Sequence, residues 1–181
     1  MNGSWLRRAM FAAVLMLCAA GSALAQSATT VILVRHAEKV DDSADPVLSD
    51  AGAARAEALA DALADAGVTA IITTQFERTR RTGAPLGERV GITPTVVAAT
   101  GRTHVDDVAA RVRELGPGTV VVVGHSNTVP AIIRALGGPD VGEIPDSAYD
   151  HLFVLTLGED GVRLIRSRYG DESAEGVGKA P

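Results

Sequence analysis

The sequence has one cysteine in 181 residues, Cys18, and it lies in the N-terminal apolar stretch. Disulfide frameworks and thiol nucleophiles are therefore excluded from the rest of the chain. Aromatic residues are scarce, at 3%, so a core has to be packed from Ala, Val, Leu and Ile. No basic run is long enough to follow a nucleic-acid backbone, and 22 acidic residues outnumber 17 basic ones, for a formal net charge of −5. That balance argues against nucleic acid as a partner. There is no internal repeat and no long low-complexity linker. What is present is a 46% hydrophobic composition. This is enough to build one ordinary domain and too much for a disordered chain.

No apolar run reaches the roughly 20 residues that a membrane-spanning helix needs. The longest, Ala9 to Ala20, follows Arg7 and Arg8 and precedes Ala23-Leu24-Ala25. Positive charge, then an apolar run, then small residues is the order of an export signal. The expectation is a signal peptide over 1–25, cleaved after Ala25, with the protein periplasmic or secreted and no stable membrane insertion after cleavage. An uncleaved anchor is the competing reading. Leu17 before Cys18 disfavours a lipoprotein, where a small residue is wanted. The folded domain is placed at 26–170. A tail rich in Gly, Glu, Asp and Ala, 171–181, is expected to fray.

Between Thr29 and Tyr169 strand and helix signals alternate. Val31 to Val34 reads as a short buried strand. Ser49 caps a helix running to about Ala66, with Gly67 as its stop. Ala70 to Thr73 is a second strand, and a helix follows from Glu77 to Arg89. Thr95 to Ala98 is a weaker strand. Val105, Val108, Val112 and Leu115 mark one face of a helix that begins near Thr103. Thr119 to Val123 is the most strand-like run, and Asn127 to Leu136 is a helix with Ser126 and Asn127 as candidate caps. Leu152 to Leu157 and Val162 to Arg168 form a hairpin turning near Asp160-Gly161. This order predicts an α/β fold: a three-layer α/β/α sandwich with a mostly parallel central sheet and a C-terminal antiparallel hairpin.

In such sheets ligands bind beyond the carboxyl ends of the strands. Three polar clusters occupy those positions: Arg35-His36-Ala37-Glu38, Thr74 to Arg78, and Gly124-His125-Ser126-Asn127. Two histidines and at least two arginines would meet in one crevice. Arginine grips a phosphoryl group through its planar fork. A helix start beside His125 adds backbone N–H groups and a positive dipole end. Positive surroundings keep an imidazole neutral and able to attack phosphorus. A metal site is disfavoured, because the same cations would repel the metal ion.

With Leu48-Ser49-x-x-Gly52 and Arg78-Thr79-x-x-Thr82, these clusters resemble the histidine phosphatase (phosphoglycerate-mutase-like) superfamily, specifically its small bacterial exported members. The likeness spans about Val31 to Gly137. It implies a phosphatase acting on phosphomonoesters or phosphohistidine, with no metal and no organic cofactor. It implies that His36 is the nucleophile, that Arg35 and Arg78 clamp the phosphoryl oxygens with help from Ser126, and that His125 stabilises the transition state. Substrates would be phosphorylated small molecules or phosphoproteins. For a general acid the candidates are Asp106 and Glu38, with Asp107 and Asp150 as others. Asp106 has a simpler reading as a first-turn helix residue. His104, His151, Arg80 and Arg81 are expected to stand outside the chemistry, and Tyr149-Asp150 to border the mouth of the site. The alternatives are a phosphomutase, or a binder of phosphorylated ligands without turnover.

Overall fold

The computed structural model describes residues 28–173. The signal peptide expected over 1–25 and the last residues of the chain, 174–181, lie outside the described residues. Six strands and four helices follow in chain order: β1 (Thr29–Arg35), α1 (Asp50–Leu63), β2 (Val68–Thr73), α2 (Glu77–Val90), β3 (Thr95–Val96), α3 (His104–Leu115), β4 (Gly118–Gly124), α4 (Thr128–Ala135), β5 (His151–Gly158) and β6 (Gly161–Arg168). They form one sheet in the order β3-β2-β4-β1-β5-β6. The first four positions are parallel, and β5 and β6 run antiparallel. The chain is an α/β sandwich of three layers.

The layers follow from the period-2 alternation of side chains along strands. In β1, Val31 and Leu33 join a cluster with Val120 and Val122 of β4, covered by Val108 and Val112 of α3 and by Val129, Ile132 and Ile133 of α4. Ile32 and Val34 point the other way. They pack with Val121 and Val123 of β4, Leu59 and Leu63 of α1, and Leu86 of α2. The central strands are thus apolar on both faces, as a sheet covered by helices on both sides requires.

Two glycines mark close approaches that position the site. A Cβ on Gly52 would lie 2.1 Å from the Glu38 carbonyl oxygen, so only glycine lets the start of α1 press against the segment after β1. Ser49 holds that contact: its Oγ accepts from Gly52 N–H at 3.1 Å, and its own N–H donates to Glu38 O at 3.0 Å. A Cβ on Gly83 would meet Thr73 Cγ2 at 3.2 Å, where α2 lies on β2.

Three expectations need adjustment. The helix read to Ala66 ends at Leu63, with Ala66 N–H donating to Leu63 O in a final turn and Gly67 at φ 63°. The strand read over Thr95 to Ala98 is only Thr95–Val96, because the chain turns aside where Ala99 N–H is taken by Gln75 Oε1 at 2.7 Å. The tail does not fray from Asp171. Ser173 is buried, and its Oγ accepts from Tyr149 N–H and Asp150 N–H at 2.8 and 3.0 Å.

Candidate active site

Parallel pairing of β1, β4 and β2 sends three strand ends to one edge. Pairing of β1 with β4 runs to Arg35 opposite Gly124, and His36 N–H donates to Gly124 O at 2.9 Å. The following residues open a cavity of about 570 Å³ lined by Arg35, His36, Arg78, His104, His125 and Ser126 among others. Lys39 and Arg102 also reach its wall, and among the described residues no Asp or Glu is in its lining.

His36 is buried at the base. Its Nδ1 lies 2.8 Å from Ala37 O. A carbonyl can only accept, so Nδ1 carries the proton and Nε2 holds the lone pair. Burial lowers the His36 pKa to about 4, with Arg35, Arg78 and Lys39 adding to the effect and the Ala37 bond opposing it. His125 stands beside it, ring centroids 5.4 Å apart. Its pKa is lowered to about 3, first by burial and then by His36 and Arg78. Both rings are therefore neutral at neutral pH.

The threonines of the second cluster hold this frame. Thr82 Oγ1 accepts from Ala37 N–H at 2.9 Å and donates to Arg78 O at 2.7 Å, tying the segment that carries His36 to α2. Thr74 Oγ1 lies 3.3 Å from His125 Nε2 and 2.8 Å from Thr79 Oγ1.

The two arginines differ in what they can offer. Arg78 has its guanidinium carbon 4.3 Å from the centroid of the Phe76 ring, and its nearest acid is Asp45 at 3.8 Å. Its pKa is lowered, chiefly by burial, with Asp45 opposing and Arg35 adding to the effect. Its fork is open. Arg35 is more committed. Its Nη1 donates to the carbonyls of Pro145, Asp146 and Ala148 at 3.0, 2.8 and 3.3 Å. Its guanidinium carbon sits 4.2 Å from the centroid of the Tyr149 ring. Only Nε is buried without a partner among the described residues. Its Nη2 donates to Tyr149 Oη at 3.5 Å, so Arg35 keeps one unpaired N–H and its charge, not a full fork.

The chain matches the histidine phosphatase superfamily (branch 1) profile over residues 31–101. That segment holds Arg35, His36 and Arg78. Its fold is that of the histidine phosphatases. Among solved structures, the protein histidine phosphatase SixA complexed with tungstate superposes with a TM-score of 0.62 at 18% identity, covering 77% of this chain and 96% of that one. A chain from Agrobacterium tumefaciens, provisionally named phosphohistidine phosphatase SixA, gives 0.58 at 24% identity, covering 79% and 97%. A mycobacterial glucosyl-3-phosphoglycerate phosphatase gives 0.53 at 16% identity, covering 78% and 98%. Comparison with curated protein sequences gives no match. The profile match and this likeness of fold support a phosphatase or mutase type of enzyme.

The remaining candidates of this histidine phosphatase fold separate clearly. Glu38 does not reach the cavity, because both its oxygens are taken by Arg55 Nε at 2.9 Å, with Arg55 Nη2 at 2.7 Å from Oε1. Asp106 is exposed on the outer surface of α3 and does not line the cavity. Asp150 is buried elsewhere, with Oδ2 accepting from Arg168 at 2.7 Å. Asn127 stands at the N-cap of α4 without a side-chain capping bond, Thr128 Oγ1 accepts from His125 N–H at 3.0 Å, and Ser126 and Asn127 both line the cavity. Arg80 and Arg81 pair with Glu77 on the exposed side of α2, and His151 packs beside Phe153. Tyr149 covers His36 at a centroid distance of 6.1 Å. Sequence reasoning set aside His104, which is buried and lines the cavity. It also missed Arg55, which shares one helical stripe with Leu59 and Leu63 at spacings of four, the one signal that a charged residue was turned inward. Among the described residues no helix is long and apolar enough to cross a membrane.

Proposed function

We propose that this protein is a metal-independent phosphatase that hydrolyses phosphomonoesters or phosphohistidine through a phosphohistidine on His36. The observation that carries the reading is a neutral imidazole with a free Nε2, enclosed by the like charges of Arg35 and Arg78. Cations gathered around a cavity without lining carboxylates favour an oxyanion and disfavour a metal ion. His36 Nε2 attacks phosphorus as the bond to the leaving oxygen breaks. Arg78 grips two non-bridging oxygens through its open fork, and Arg35 contributes Nε–H and charge. His125, with the N–H groups at the start of α4, meets the charge that develops on the third. Water then cleaves the N–P bond.

Export to the periplasm or beyond belongs to the same proposal and rests on the order of residues 1–25. Amino-terminal sequencing of the protein recovered from the cell envelope, beginning at Gln26, is the expected result. For the chemistry, the test is hydrolysis of an aryl phosphate with and without chelator, beside His36→Ala. Chelator-insensitive turnover that disappears with His36, and acid-labile phosphate on the trapped wild type, are expected. Binding of phosphate without turnover would instead make the protein a phospho-ligand binder.

A further inference from the structure

Three imidazoles line the cavity, and the scheme above uses two. His104 opens α3, a position that is usually exposed, yet it is only 5% exposed. Its Nδ1 lies 3.2 Å from Ala98 O. That acceptor assigns the proton to Nδ1 and leaves Nε2 as the free nitrogen. Nε2 is buried and has no hydrogen-bond partner among the described residues. A core histidine retained for packing alone is expected to have both nitrogens satisfied.

The chemistry lacks one part. A leaving alkoxide or phenoxide needs a proton, and among the described residues no Asp or Glu lines the cavity. Glu38 and Asp150 are held by Arg55 and Arg168, and Asp106 lies outside. Asp45 and Asp146 lie 3.8 and 3.6 Å from Arg78 and Arg35, and neither is in the cavity lining.

We propose that His104 Nε2 is the proton donor to the leaving oxygen and then the base for the hydrolytic water. The proposal rests on the phosphatase reading. The titratable groups that act on His104 are His125 at the end of β4 and Asp107 on its own helix, and Arg102 of the preceding loop shares the cavity lining. Burial holds the imidazole below its ordinary pKa, while the Ala98 bond and Asp107 oppose that effect. A phosphoryl dianion bound beside Nε2 favours the imidazolium, so a proton enters from solvent with the substrate. As the N–P bond forms at His36 and the P–O bond breaks, the leaving oxygen takes that proton and departs as the alcohol. Water then attacks phosphorus and gives a proton to the now neutral His104. The N–P electron pair returns to His36, and inorganic phosphate leaves. Water is the only co-reactant.

The test compares phenyl phosphate with 2,4-dinitrophenyl phosphate, whose leaving oxygen needs no proton. His104→Gln should lose about 100-fold or more in kcat/KM on phenyl phosphate and less than about 10-fold on the dinitrophenyl ester. His104→Glu should regain part of the phenyl phosphate rate. Thermal melts establish that both variants fold. The wild type alone supplies a second reading, a shallow dependence of kcat/KM on leaving-group basicity across an aryl series. Equal losses on both esters, or a steep wild-type dependence, would overturn the role of His104 and leave the phosphatase reading intact. A wild type that cleaves neither ester overturns both.

Discussion

Arg35 and Arg55 are both almost wholly buried, and the way each is partnered separates site from scaffold. Arg55 is saturated. Its Nε and Nη2 meet Glu38, and its Nη1 donates to the carbonyls of Tyr169 and Asp171 at 3.1 and 2.9 Å. A carboxylate cancels its charge within hydrogen-bond distance. Arg35 is left incomplete. Loop carbonyls hold its Nη1, its Nε has no partner among the described residues, and its nearest acid there is the exposed Asp146 at 3.6 Å. A structural arginine binds the fold to itself. A site arginine keeps a donor and a charge for an anion, and the fold carries that cost. The burial of the two residues is alike, so burial alone would not have told them apart.

The largest expected effect is at the site end of this comparison. His36→Ala should reduce turnover by more than about 1,000-fold, as loss of a nucleophile does, while a urea unfolding curve moves by no more than about 1 kcal/mol. The reverse pattern is expected for Arg55→Leu. Removing one partner of a buried ion pair should cost about 3 kcal/mol in the same curve, with turnover per folded molecule nearly unchanged. Adding Glu38→Gln should recover part of that loss. If Arg55→Leu instead abolished turnover in a folded protein, the contrast between the two arginines would fail.

Arg78→Lys comes next. Loss of the fork should lower kcat/KM by about 100-fold without a shift in melting temperature. The pH profile is smaller in effect but sharper in meaning. His36 must be neutral to attack, and its pKa is lowered to about 4. The acid limb of kcat/KM should therefore fall near pH 4 and not near the ordinary histidine value. The sign for stability follows from the same shift: between pH 6.5 and about 4 the unfolded chain binds the proton that the folded His36 refuses. Stability should then be full above pH 6.5 and decline as pH falls through that window. The smallest effect expected is for Asp106→Asn, which should change kcat/KM by less than about 2-fold if the exposed carboxylate stands outside the reaction. A larger loss would restore Asp106 as a candidate acid.

Much of the site was legible because its residues sit where strands end. Arg35-His36 and Gly124-His125 each follow an apolar run of four, and the parallel reading of those runs brought them together. The Ser49 cap was equally readable from local chemistry, and the structure explains Gly52 by its close approach to the Glu38 carbonyl. The failures share one cause. Glu38 and Arg55 are 17 residues apart, and Arg35 meets carbonyls more than 100 residues away. Nothing local in a glutamate two residues after His36 says that an arginine on the next helix has already taken it. His104 was set aside for the same reason: its isolation at a helix start looks like exposure until the fold covers it.

What the sequence determined by itself is the alternation of strands and helices, the apolar faces of the sheet and the kinds of side chain gathered at one edge. These depend on periodicity, capping and backbone preference, which act over a few residues. What only the tertiary structure decided is which polar groups were satisfied and which were left open. A hydrogen bond is settled by distance in space. Glu38 therefore became part of the frame, while Arg35 Nε and His104 Nε2, buried atoms of two residues in the cavity lining, have no partner among the described residues.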